Sequence, residues 1–152
     1  PLFAHYDGWQ WRPDMIWFDN FQTVKTVSYY VQQMYAWNKG TDVLDLLCGG
    51  EPLAGQNGLY ASAVREGNKL IVKVVNTGLK AEKFTVTLKD AGELKADSIS
   101  CTTLHHDDLT AVNTLDAENV HPVEIAEGKI SGSKLKLNVA AQSFNVYTVT
   151  LK

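Results

Sequence analysis

Hydrophobic positions repeat with two different periods along this chain. Between Thr26 and Asn38 the spacing is helical: Val27, Val31, Met34 and Tyr35 recur on one stripe, and Tyr30 and Trp37 widen it. Thr26 is placed to cap that helix. Asn38-Lys39-Gly40 is placed to stop it, Lys39 favouring the negative helix end and Gly40 supplying a left-handed C′ position. From Thr41 onward the period is two. Leu70, Val72 and Val74 alternate with Ile71, Lys73 and Val75, which predicts a strand buried largely on both faces. Phe84, Val86 and Leu88 alternate with Thr85, Thr87 and Lys89, and Leu135, Leu137 and Val139 with Lys134, Lys136 and Asn138, as strands with one face inside. Tyr60–Arg65, running into the turn Glu66-Gly67-Asn68, and Ser143–Leu151 predict two more, with shorter candidates at Ile99–Leu104 and Val123–Ala126. Seven or more short strands without intervening helices predict an antiparallel β-sandwich. Gly49-Gly50-Glu51-Pro52 and Gly55-Gln56-Asn57-Gly58 punctuate the passage from helix to sandwich. His105 to Pro122 form a polar connection too long for a tight hairpin.

Composition narrows the class more than the fold. A chain of 152 residues with 45% hydrophobic and 20% charged residues is long enough for one domain with a real core. A net charge of −3 gives no basic footprint, so nucleic acid is not an expected partner. No apolar run reaches the roughly 18 residues of a membrane span. Cys48 and Cys101 show no metal spacing and read as two independent buried thiols, a disulfide between them being open but unsupported.

The stretch Tyr6 to Phe21, YDGWQWRPDMIWFDNF, holds three of the four tryptophans: Trp9, Trp11 and Trp17. A short apolar segment, Pro1 to His5, precedes it like a buried strand. Asp7-Gly8 is a turn signal, and Arg12-Pro13-Asp14 cannot continue a strand. Aromatic rings on a loop after a strand suit a sugar cleft, because ring faces stack on sugar CH groups while polar neighbours bond hydroxyls. The competing reading is that these rings are core anchors.

The run LFAHYDGWQWRPDMIWFDN, with Tyr29-Tyr30-Val31-Gln32-Gln33-Met34-Tyr35 after it, resembles the end of the catalytic barrel in α-L-arabinofuranosidases of glycoside hydrolase family 51. The likeness continues more weakly through Asp108-Leu109 and Asn113-Thr114 to the final strands. It implies a mainly β fold: residues 1–40 as the last strand-loop-helix unit of a (β/α)8 barrel, and 41–152 as a C-terminal jelly-roll β-sandwich. It also implies a retaining exo-acting enzyme that removes terminal α-L-arabinofuranosyl groups from arabinan, arabinoxylan or arabino-oligosaccharides. Its two catalytic glutamates would lie upstream of Pro1, with no cofactor and no metal needed. Whether the parent is a homo-oligomer, and where it resides, stay open.

No catalytic group is expected within the chain itself. Glycoside hydrolysis needs two carboxyl groups flanking one bond, about 5–5.5 Å apart for retention or 6.5–9.5 Å for inversion. Asp7, Asp14 and Asp19 near the aromatic loop have no partner that the sequence places opposite them. Asp14 is read as starting or capping a helical turn, Asp19-Asn20 as a local turn, and Asp107-Asp108 as turn and capping chemistry. His105-His106-Asp107-Asp108 is read as a solvated loop rather than a metal cluster, since neighbours on an extended chain point apart. His5, at a strand end, is either an active-site group or a satisfied buried histidine. In a barrel enzyme the loop after the last strand borders the cleft, so substrate contact is expected first from Trp11, then Gln10, then Trp9, with Trp9 and Gln10 pointing to opposite sides if the chain there is extended. Trp17 and Phe18 read as core. The alternative is a carbohydrate-binding or purely structural sandwich without chemistry. Against the binding module stands the sandwich's lack of tryptophan, although Tyr60 and Tyr147 remain open as weak sugar contacts.

Overall fold

The computed structural model describes residues 3–6, 14–89 and 98–151. Along the chain run β1 (Phe3–His5), β2 (Ile16–Phe18), β3 (Thr23–Lys25) and the helix α1 (Val27–Trp37). They are followed by β4 (Asp42–Leu44), β5 (Leu47–Cys48), β6 (Glu51–Pro52), β7 (Leu59–Glu66), β8 (Lys69–Asn76) and β9 (Glu82–Thr87). Last come β10 (Ser100–Leu104), β11 (Val123–Ile125), β12 (Lys129–Ser131), β13 (Lys134–Val139) and β14 (Ser143–Thr150).

The long strands form two facing antiparallel sheets, a jelly-roll-like sandwich. One has the order β11-β10-β14-β8-β7-β4 and the other β12-β13-β9. Period-two alternation sends Leu70, Val72, Val74, Cys101, Tyr147 and Val149 of the larger sheet against Leu135, Leu137 and Val139 of the smaller, all nearly or fully buried. The other face of the larger sheet carries Ile71, Leu104, Phe144 and Val146, and on it sit Tyr30 and Met34 of α1 with Val120 from the long connection. A sheet covered on both faces explains why β8 and β14 read as almost continuously apolar.

The helix obeys its local code at its start. Thr26 is the N-cap, its Oγ1 accepting from the Tyr29 amide at 3.3 Å and donating 3.0 Å to the carbonyls of Asp14 and Met15. Its end corrects the sequence reading. Gly40 is absent from the positive-φ glycines, so it is no left-handed cap. A Cβ there would meet the Arg65 carbonyl oxygen at 2.6 Å and Val64 Cβ at 2.8 Å, so close approach of β7 is what requires glycine. The Asn38 side chain instead closes the helix by donating to the Met34 carbonyl at 2.8 Å. The predicted stripe is also too wide. Tyr30 and Met34 are buried, but Tyr35 is half-exposed and Trp37 is 77% exposed.

Before the helix, β2 and β3 interrupt the expected strand-loop-helix unit. β1 pairs with β2 in parallel, and β2 with β3 antiparallel. The apolar run at Met15–Phe18 is thus a strand, but not a sealed core: Trp17 is half-buried and Phe18 exposed. Asp14 begins no helical turn. It is buried, and its carbonyl accepts the Thr26 hydroxyl.

The connection from His105 to Pro122 is held by its own amides. Asn113 donates from Nδ2 to the carbonyls of Lys25 and Val120, both at 2.8 Å, and accepts from the Val120 amide at 2.7 Å. The Tyr30 hydroxyl donates to Glu118, so the segment straps α1 to the sandwich.

Both cysteines are free, but only one is buried: Cys48 lies exposed on the β5–β6 hairpin and Cys101 is packed against Tyr147. Burial pushes the Cys101 thiol up to about 11. A thiol reagent such as Ellman's should therefore label one cysteine per native chain, removed by Cys48→Ser, and a second only after denaturation. Rapid native labelling of both would contradict the packing. Thr26→Ala should destabilise the chain by about 0.5–2 kcal/mol in chemical denaturation. Because serine keeps the capping hydroxyl, Thr26→Ser should hold most of the wild-type stability, and an unchanged midpoint in Thr26→Ala would show that the cap contributes nothing.

Candidate functional site

Trp9, Gln10 and Trp11, the residues expected to touch sugar, lie outside the described residues. The structure does describe both roots of their loop. On the leading side the Tyr6 amide donates to the Phe18 carbonyl at 2.8 Å, and the Tyr6 ring meets Trp17 edge-to-face at 6.5 Å. On the trailing side Thr26 grips the carbonyls of Asp14 and Met15, and the Thr26 amide adds a second bond to Met15 at 3.1 Å. The loop is thereby anchored to one small sheet at both ends.

Beside that sheet lies an open depression of about 570 Å³ lined by Phe3, Phe18, Asp19, Phe21, Gln22 and Thr23. Its rings are unusually bare: Phe3 is 56% exposed and Phe21 95%. Asp19 forms the predicted turn, its Oδ1 accepting from the amides of Phe21 at 2.7 Å and Gln22 at 2.8 Å. Those bonds, the Phe21 amide first, hold its carboxyl below the usual range. Among the described lining residues Asp19 is the one carboxylate, and it is held ionised. An acid and a nucleophile cannot both come from it. His5, at the end of β1, is exposed rather than buried, with its ring 5.7 Å from Phe18.

The His105–Asp108 segment folds on itself. His105 contacts the Gln142 carbonyl at 3.3 Å and Asp107 at 3.2 Å, and the Asp108 amide donates to His106 Nδ1 at 3.0 Å. Asp108 takes both the amide and the hydroxyl of Thr110, and these bonds hold its carboxyl low. This is turn chemistry. Among the described residues no group of three or more His, Cys, Asp or Glu is gathered for a metal ion.

Of the two tyrosines open as sugar contacts, Tyr147 is fully buried, its hydroxyl donating to the Asn138 carbonyl at 2.5 Å. Tyr60 is 48% exposed and lines a second concavity with Tyr35 and Lys73. Sequence reading missed that site. Its one signal was a lysine inside an otherwise apolar strand.

The family model described as the alpha-L-arabinofuranosidase C-terminal domain matches residues 1–143. The chain is 31% identical over 150 residues to the probable alpha-L-arabinofuranosidase A of Aspergillus flavus, covering 96% of this chain and 22% of that protein. It is 30% identical over 105 residues to an extracellular exo-alpha-L-arabinofuranosidase of Streptomyces chartreusis, covering 66% of this chain and 11% of that one. An arabinose-bound GH51 α-L-arabinofuranosidase structure matches with a TM-score of 0.81 at 27% identity, over 100% of this chain and 23% of that one. The GH51 arabinofuranosidase of Xanthomonas axonopodis pv. citri shares the fold, with a TM-score of 0.70 at 17% identity over 90% of this chain and 29% of its own. The chain thus spans less than a quarter of the curated relatives it matches. By its fold and by the family match over most of its length, it belongs to the α-L-arabinofuranosidase C-terminal domain family.

Proposed function

We propose that this chain is the C-terminal part of a retaining, exo-acting α-L-arabinofuranosidase. The full-length protein removes terminal arabinofuranosyl groups from arabinan, arabinoxylan or arabino-oligosaccharides, with two glutamates in preceding segments as nucleophile and acid/base. Residues 1–40 are its last barrel unit and 41–152 its accessory sandwich. The observation that carries the reading is the superposition of the whole chain on part of an arabinose-bound enzyme of that family. The bare rings of Phe3, Phe18 and Phe21 add support, since a unit made to pack inside a larger barrel leaves such a face uncovered when seen alone.

Within this reading Trp11 stacks on the sugar, and Gln10 offers an amide donor and acceptor to its hydroxyls. Trp9 is the third candidate contact, on the opposite side from Gln10 if the chain there is extended. Two measurements test it. The purified 152-residue chain should not hydrolyse a chromogenic α-L-arabinofuranoside. Turnover abolished by Asp14→Asn or Asp19→Asn would place the active site here instead. In the full-length protein, Trp11→Ala should lower kcat/KM at least tenfold, about 1.4 kcal/mol of transition-state stabilisation, with little change in Tm. A variant that melts early but is kinetically normal when folded would make Trp11 a core residue.

A further inference from the structure

The helix does not cover the whole outer face of the larger sheet. Ser62 on β7 lies opposite Lys73 on β8, on the face that also carries Ile71 and Val75. Past Tyr35 that face opens into a concavity of about 230 Å³, lined among others by Tyr35, Ala54, Tyr60, Ser62 and Lys73. It is smaller than the roughly 300–1,000 Å³ clefts that enclose drug-sized ligands, and suits a single ring.

Lys73 is the anomaly. It is only 6% exposed, at the centre of a strand whose other central positions are apolar. Among the described residues no carboxylate or hydrogen-bond acceptor pairs with its ammonium. Its charged end lies near the Tyr35 ring, 5.8 Å from Nζ to the centroid. Desolvation draws its pKa below the usual lysine value. A buried cation without a counter-charge is costly, and proteins keep such groups where something binds. The rest of the wall is built for a ring. Tyr35 is fixed by stacking on Phe144 at 4.8 Å and 18°, yet remains 43% exposed, and Tyr60 offers a second ring at 48%. Both tyrosines and Ser62 carry hydroxyls that donate and accept.

We propose that this concavity is a subsite for a sugar ring bearing a carboxylate, a hexuronate unit of a plant-type polysaccharide, with Lys73 pairing its carboxylate. Tyr35 presents a ring face to the sugar CH groups, while Ser62 and the Tyr60 hydroxyl meet ring hydroxyls. A neutral sugar would leave the ammonium without its counter-charge. A carboxylate from a protein side chain would fill the charge but not the frame of two rings and hydroxyls. The choice of a glycan rests on the glycosidase reading above; the need for an anion does not.

The test is titration of the 152-residue chain, followed by NMR and calorimetry, with glucuronic-acid-substituted xylotriose and with its carboxyl-reduced glucosyl counterpart. The acidic oligosaccharide should bind at least tenfold more tightly. Lys73→Met should reduce it to the level of the neutral one while the chain stays folded, since the variant removes a buried charge and keeps the stem's volume. Tyr35→Ala should weaken both. Equal affinities, no saturable binding, or full affinity in Lys73→Met would overturn the assignment. So would a Lys73→Met substitution that raises Tm in this chain but lowers it in the full-length protein, because the counter-charge would then be a carboxylate of the protein itself. Hydrolysis of a chromogenic arabinofuranoside by the unsubstituted full-length protein tests the glycosidase reading separately.

Discussion

Two faces of one strand pair hold this molecule together. β8 and β14 run antiparallel through eight paired positions, from Asn76 opposite Ser143 to Lys69 opposite Thr150. Alternation sends Leu70, Val72, Val74, Tyr147 and Val149 into the sandwich core, and Ile71, Phe144 and Val146 under the helix. A slip of one residue would exchange the two sets and break both layers at once, so the register is over-determined. With about 1.5–3 kcal/mol for each large apolar side chain fully buried, neither layer can be lost without threatening the fold. The pair is closed at one end by Asn76, itself 1% exposed. Its amide donates to the carbonyls of Lys80 and Ala140 at 2.8 and 2.9 Å and accepts from Gly78 at 2.9 Å. One buried side chain thus fixes the turn leaving β8 and the turn entering β14.

That constraint also explains what the sequence disclosed. Strands buried on one or both faces carry a twofold or continuous apolar signal, and β7, β8, β9, β13 and β14 lie where the alternation put them. β3, β4, β5, β6 and β12 have two or three residues each, too few to show a period, and they exist because a neighbour offers them an edge. Gly40 was visible as a glycine after a helix, and local rules assign such a residue a left-handed cap. Its actual reason, the approach of Arg65 and Val64, comes from β7, much further along the chain, and has no local signature. Trp37 and Cys48 failed as buried residues for a related reason: hydrophobic character sets a tendency, while the geometry of the covering layer decides who is covered.

The acidic and histidine-rich segment shows the same limit from the polar side. The composition of His105–Asp108 suggests ligands, but the bonds made are those of neighbouring turn groups satisfying each other. Lys73 is the reverse case. One polar residue in a run of apolar ones is easily absorbed into the alternation, and only the absence of a facing carboxylate among the described residues makes it informative.

These layers bear on the aromatic loop even though its own residues lie outside those described. Its trailing root is tied through Asp14 and Met15 to Thr26, which caps α1. The preceding carbonyl, that of Lys25, is held by Asn113 of the long connection. The helix in turn is seated on the sandwich by Tyr30 and Met34, and the Tyr30 hydroxyl reaches Glu118 in the same connection. Two separate paths, one apolar and one hydrogen-bonded, therefore run from the sandwich core to the residues where the loop ends. Catalytic and binding loops need rigid supports, since a displacement of about 1 Å can cost two orders of magnitude in rate. Under the function proposed above, the sandwich supports such a site in that way: it holds α1 still, and through the cap of α1 it holds one end of the loop proposed to meet the sugar.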